Sequence, residues 1–111
     1  WVALDTSKTG ADRAFFVVEA AGVATKGNPA AMGVALAAAA ANERIDVVVA
    51  GYVAEANVAA ATVAGSALIG PIGTAGEAAI EVPGTTTGAL CGVALEADTT
   101  NKAAVMVVKR Y

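Results

Sequence analysis

Apolar and polar side chains alternate along residues 44–53, which read Arg-Ile-Asp-Val-Val-Val-Ala-Gly-Tyr-Val. Because successive side chains of a β-strand point to opposite faces, this pattern predicts a strand. One face of the strand holds its β-branched residues, Ile45, Val47, Val49 and Val53. The other face holds Arg44, Asp46 and Tyr52. Residues 103–111 repeat the alternation and predict a second strand. Its two faces hold Val105 with Val107, and Met106 with Val108.

Shorter apolar runs predict further strands over residues 14–20, 66–69 and 77–82. Glycines interrupt the chain at a spacing that is typical of a domain with many short strands. Residues 54–64 are rich in alanine and are followed by Gly65, a composition that favours a helix, so we expect at most one short helix there. The whole pattern predicts a mainly β fold, a small β-barrel or β-sandwich.

The chain also contains an internal repeat of strand, turn and strand. Residues 32–52 align without gaps on residues 91–111, and nine of the twenty-one pairs are identical. Each copy begins near Gly-Val-Ala-Leu, passes a shared Asn, and continues into a valine-rich strand before a shared Tyr. Two copies are too few for a solenoid, so we expect a pseudo-symmetric barrel or sandwich. The alternative is a chance match in a chain rich in Ala and Val.

Residues 1–13 differ from the rest because they are polar after Leu4 and show no core face. We expect an extended N-terminal arm over 1–13, followed by a single β-rich domain over 14–111. Trp1, the one Trp of the chain, lies at the tip, and this pattern fits an anchor on another surface. A simple first strand is the alternative. The candidate partner contacts lie at the two termini: Trp1, Val2, Leu4, Lys109, Arg110 and Tyr111.

Composition and charge exclude several functions. The 111 residues are 57% apolar, and thirty alanines and sixteen valines make up most of that share. Seven Lys and Arg are scattered among ten Asp and Glu, so no basic face for nucleic acid is predicted. The longest uncharged stretch, residues 56–76, holds Asn, Ser, Thr, Pro and several Gly, and it lacks the Leu, Ile and Phe density of a membrane-spanning helix. The first residues do not resemble a signal peptide.

Candidate reactive groups are few. The chain has no histidine, and its single cysteine, Cys91, lies among apolar residues and aligns with Met32 in the repeat, which indicates a buried side chain. The glycine-rich residues 70–76 lack the spacing of a phosphate-binding loop, and the threonines at 85–87 have no base to activate them. The carboxylates show neither a calcium-binding pattern nor a cleft: Asp5, Asp12, Asp98, Glu77 and Glu81. We expect no enzymatic activity, no cofactor and no metal.

At its two Gly-Val-Ala-Leu segments, residues 33–36 and 92–95, the sequence resembles the small capsid cement, or head decoration, proteins of tailed bacteriophages. The similarity covers residues 15–111, and its motifs belong to the fold rather than to a catalytic site. The matching stretches are residues 18–28, 33–36, 42–53, 63–68 and 90–97. The chain departs from the family where Asn42 replaces a common Gly, where Lys109 to Tyr111 replace an aliphatic end, and over residues 1–13.

The resemblance implies a structural virion protein. Such a protein binds the outer surface of the phage head, bridges neighbouring major capsid protein subunits and stabilises the expanded shell. The implied partners are the major capsid protein and further copies of the chain, with a trimer preferred, and neither nucleic acid nor a membrane is implied. The virion would be assembled in the host cytoplasm. The alternatives are a secreted or surface-layer β module with an adhesive or structural role, and a small ligand-binding barrel.

Overall fold

The chain folds mainly as short β-strands. A computed structural model describes residues 1–14, 16–24 and 26–108, without the side chains of residues 13 and 14. The strands are β1 (Val2–Leu4), β2 (Val17–Glu19), β3 (Ala31–Ala35), β4 (Val47–Val48), β5 (Ala50–Asn57), β6 (Ala67–Ile69), β7 (Ala79–Ile80), β8 (Leu90–Ala94) and β9 (Lys102–Val108). A short 3-10 helix, Gly10–Ala14, precedes β2. The prediction of a mainly β fold is confirmed.

The strands form two antiparallel sheets. The four-stranded sheet has the order β2-β1-β3-β4, and the five-stranded sheet has the order β5-β9-β8-β6-β7. Only Val49 separates β4 from β5, so one chain segment leaves the first sheet and enters the second. The core contains side chains from both sheets, among them Ala3 and Val34 from the first and Leu68 and Val105 from the second.

The alanine-rich residues 54–57 belong to β5 and not to a helix. β5 pairs with β9, so that Val53 lies opposite Val105 and Ala56 lies opposite Ala103. All four of these residues are buried. Pairing and burial against β9 therefore override the helix propensity of alanine in this segment.

The two copies of the sequence repeat fold as equivalent hairpins, β3–β4 and β8–β9. The first strand of each hairpin carries a β-bulge at the same repeat position, Met32 in one and Cys91 in the other. The shared Asn42 and Asn101 have φ angles of 65° and 60°, a left-handed conformation that Asn tolerates. The correspondence extends to the neighbouring strands, because β1 and then β2 follow the free edge of β3 as β6 and then β7 follow that of β8.

The two hairpins differ in register by one residue. Val34 lies opposite Val48, whereas its aligned residue Val93 lies opposite Met106 and not opposite Val107. A shift of one residue in pairing turns the side chains of a strand to the other face of the sheet. Val34 is therefore buried in the core, whereas Val93 is half-buried on the outer side of its sheet.

The first residues form a strand of the domain. β1 lies between β2 and β3, and Trp1 is 5% exposed. The α-ammonium group of Trp1 donates to the carbonyl of Gly76 at 2.8 Å, and its indole N–H donates to the carbonyl of Asn57 at 2.9 Å. The structure corrects the prediction of an extended arm over 1–13 for its first four residues. Burial removes the indole ring of Trp1 from water, where an extended arm would leave it. The pairing of β1 on both edges also satisfies its backbone hydrogen-bonding groups.

Candidate binding surface

The predicted partner contacts occupy three different settings. The side chains of Trp1 and Val2 are buried, at 5% and 8% exposure, and are used within the domain. Leu4, at the end of β1, is 36% exposed and can contact a partner. The other three predicted contacts lie outside the described residues: Lys109, Arg110 and Tyr111.

The side chains with possible reactivity make structural contacts. Cys91 is 1% exposed, and its thiol donates to the carbonyl of Leu68 at 3.4 Å, as expected for a buried side chain. The hydroxyl of Thr86 donates to the carbonyl of Ile80 at 3.0 Å and accepts from the N–H of Val82 at 2.9 Å, which closes a turn. Across residues 1–14, 16–24 and 26–108, no three His, Cys, Asp or Glu side chains come together as metal ligands.

Two titratable groups are perturbed by local contacts. The carboxylate of Asp5 accepts hydrogen bonds from the hydroxyl and the N–H of Ser7, at 2.6 and 3.0 Å, and these bonds lower the pKa of Asp5. Burial lowers the pKa of the Trp1 α-amino group, while the charge of Glu19 raises it. One group stabilises a loop and the other lies in the core, so both shifts arise from contacts of the fold.

The outer side of the five-stranded sheet carries an ordered row of side chains. Directly opposite residues on antiparallel strands share a face, and the pairing aligns five residues across the sheet: Tyr52, Met106, Val93, Ala67 and Glu81. Apolar residues of the same strands, and Leu95 directly after β8, flank this row on the same side. We call the eight apolar residues the Tyr52 face: Ala50, Tyr52, Ala67, Val93, Leu95, Ala104, Met106 and Val108.

The Tyr52 face is apolar and, apart from Ala104 at 7% exposure, exposed or half-buried. Tyr52 is 61% exposed and Met106 is 37% exposed, whereas the inward-facing Val105 and Val107 on the same strand as Met106 are at most 1% exposed. Contiguous exposed apolar surface marks interaction sites, and Tyr and Met are enriched at the centres of interfaces. The opposite side of these strands is packed in the core, which holds the face in place.

Charged side chains border the Tyr52 face. Glu81 ends the row beside β7. At another corner, the carboxylate of Glu55 and the ammonium of Lys102 lie 4.0 Å apart. There they line an open concavity of about 360 Å³ together with Glu96, which accepts the N–H of Ala104 at 2.9 Å. Among the described residues, this border has three acids and one base.

A second open concavity, of about 550 Å³, lies between two loops and includes Val23, Lys26, Pro29 and Thr87 in its lining. The loops approach closely because glycines allow it. A Cβ at Gly88, for example, would collide with the carbonyl oxygen of Lys26. Among the described residues that line this concavity, Lys26 is the charged one.

Sequence reasoning found parts of the Tyr52 face but not the face itself. The alternation placed Met106 and Val108 on one side of the last strand, and Tyr52 on the mainly polar side of residues 44–53. Their meeting depends on the pairing of β5 with β9, which periodicity does not reveal. One signal was available, because β9 is apolar on both sides, and an antiparallel strand of that kind needs a cover on each side.

Among the described residues, no helix combines the length and the apolar character that crossing a membrane requires. Comparison with protein-family models, with curated proteins and with solved structures found no match to this chain.

Proposed function

We propose that this chain is a structural virion protein, a capsid decoration protein that acts without catalysis. It binds the outer surface of a tailed-phage head through the Tyr52 face. By bridging neighbouring major capsid protein subunits it stabilises the expanded shell. The observation that carries this proposal is the exposed apolar face on a packed β module, together with the resemblance of residues 15–111 to cement proteins.

The energetics of the Tyr52 face suit a site that is repeated many times on one particle. Full burial of one large apolar side chain is worth roughly 1.5–3 kcal/mol, while association costs several kcal/mol in lost freedom. A few partly exposed side chains such as Tyr52, Leu95 and Met106 therefore give modest affinity for each site. Contacts with several subunits at once raise the overall affinity without new contacts on any one of them.

The proposal keeps a homotrimer as the preferred oligomer on the shell. In that arrangement each copy directs its Tyr52 face at the capsid, and the copies meet through other surfaces. Leu4 lies in the other sheet and remains a candidate for such a secondary contact, since it is 36% exposed.

The test is a binding assay with purified phage heads. We expect the protein to co-sediment saturably with expanded heads and not with unexpanded heads, because the bridged subunit arrangement exists only after expansion. The double variant Tyr52→Ser/Met106→Ser should bind at least about tenfold more weakly, since central aromatic contacts dominate such interfaces.

The matched control is Leu36→Ser. Leu36 is 59% exposed, aligns with Leu95 in the repeat and lies beside β3, away from the Tyr52 face. Its substitution should leave binding unchanged. The proposal fails if no expanded head binds the protein, and the role of the Tyr52 face fails if both variants lose binding equally.

A further inference from the structure

We infer that the Tyr52 face binds a protein surface whose apolar centre is bordered by Lys or Arg side chains. This inference rests on the proposed function in taking a protein as the partner. It adds the chemistry by which the face recognises that partner and favours such a partner over a second copy of the chain.

The argument begins with the arrangement of charge around the face. The centre of the row, Met106, Val93 and Ala67, is apolar, and the charged side chains that the structure describes near it lie at the border. Glu81 lies in line with the row, directly opposite Ala67, so its carboxylate borders the apolar surface. A partner that covers Val93 and Ala67 must therefore meet Glu81.

The second acidic position lies at the corner formed by β5, β9 and the turn after β8. Lys102 is 4.0 Å from Glu55, and their side chains are 55% and 76% exposed, so this single base is already placed against one acid. Glu96 uses one carboxylate oxygen, Oε1, to accept the N–H of Ala104. An excess of negative charge is left at this corner, beside an open concavity that can admit a side chain.

Charge complementarity then selects the occupant. A second copy docked face to face would bring together two borders in which the described acids outnumber the described base, and like charges in an interface oppose association. A partner with Lys or Arg around an apolar centre places cations against Glu81, Glu55 and Glu96. Exposed ion pairs of this kind give modest affinity, but they set orientation and suppress wrong partners.

The test uses two synthetic amphipathic helical peptides as probes. One carries leucines along one face with lysines on both borders, and the other has glutamates in place of the lysines. Binding is followed by NMR through the methyl group of Met106, with the methyl group of Met32 in β3 as an internal reference outside the face. We expect the lysine peptide to shift the Met106 signal saturably, and we expect neither peptide to shift that of Met32.

Two charge variants sharpen the test. Glu81→Gln should lower the affinity for the lysine peptide by about two- to five-fold at low salt, which is the effect expected from the loss of one exposed ion pair. Asp12→Asn removes the same charge from the 3-10 helix before β2 and should leave binding unchanged. Raising the salt concentration to about 0.5 M should remove the difference between the peptides, because screening then acts over a few ångströms.

Three results would overturn the inference: equal binding of both peptides, equal weakening by Asp12→Asn, or a Met106 signal that moves with protein concentration alone. The third result would assign the face to a second copy. The peptide and capsid results are separable. Selective peptide binding without binding to heads refutes the capsid proposal alone, whereas binding to heads without peptide selectivity refutes the basic border alone.

Discussion

In the turn between β8 and β9, Thr100 adopts a backbone conformation that threonine does not favour. Thr99 and Lys102 exchange two backbone hydrogen bonds, of 2.8 and 3.1 Å, and enclose two residues. Those residues, Thr100 and Asn101, have φ angles of 54° and 60°. This is the geometry of a type I′ turn, for which Asn-Gly is the preferred sequence. A β-branched residue with positive φ is a conformational outlier, so we predict that Thr100→Asn stabilises the protein.

The size of the gain follows from the conformation. The left-handed region costs an ordinary L-residue about 1–2 kcal/mol, and Asn relieves much of that cost through local hydrogen bonds. Thr100 is exposed, so the substitution removes little packing. We expect the free energy of unfolding to rise by about 1 kcal/mol. Urea unfolding measures it as a higher midpoint at an unchanged slope.

The matched control is Thr99→Asn, because Thr99 flanks the turn and is not among the residues with positive φ. We expect no gain from this substitution. If Thr100→Asn were no more stable than Thr99→Asn, the conformation of Thr100 would not limit the stability of the turn, and the reasoning would be refuted.

Three further perturbations test the core, a close backbone approach and the buried amino group. Leu68→Ala should destabilise the protein by about 3–5 kcal/mol in chemical unfolding, because Leu68 is fully buried between the sheets. Gly70→Ala should prevent folding or lower the free energy of unfolding by more than about 3 kcal/mol, since its Cβ would collide with a backbone carbonyl. A Cβ at Gly73 would have open space, so Gly73→Ala should lower the free energy of unfolding by less than about 0.5 kcal/mol. Burial lowers the pKa of the Trp1 α-amino group from 8.0, so below pH 8 the unfolded chain binds more protons than the folded chain. The free energy of unfolding should therefore rise as the pH approaches 8 and then level off. Glu19 raises that pKa, so Glu19→Gln should steepen the rise in melting temperature, and an equal slope in both proteins would contradict this account.

Much of the fold could be predicted from the sequence because local patterns specify it. The alternation in residues 103–111 correctly separated the buried Val105 and Val107 from the exposed Met106 and Val108. The repeat correctly predicted a strand, a turn and a strand in each copy, and the shared Asn has a left-handed conformation in both turns. These features depend on residues that are close in sequence, and hydrophobic periodicity and turn-forming residues therefore predict them.

The features that the sequence did not reveal depend on distant pairing. Residues 1–13 lacked a core face along their length, yet β1 is a strand inside a sheet because Trp1 fits a site formed by Asn57 and Gly76. The alanine-rich composition of residues 54–64 allowed at most one short helix, and it did not reveal that residues 54–57 pair with β9 as part of β5. The Tyr52 face likewise joins β5, β9, β8 and β6, and no local pattern specifies that order.

The one-residue difference in register means that the two halves of this chain are not interchangeable parts. Val34 and Val93 are the same residue at the same repeat position, yet one is in the core and the other belongs to the Tyr52 face. An idealised sequence made by averaging the halves would impose one register on both. It would lose either the packing around Val34 or the exposed surface around Val93. Sliding one strand by a single position converts an interior residue into a surface residue without changing its identity. Two similar hairpins can therefore differ in their exposed apolar surface through displacement of one strand alone.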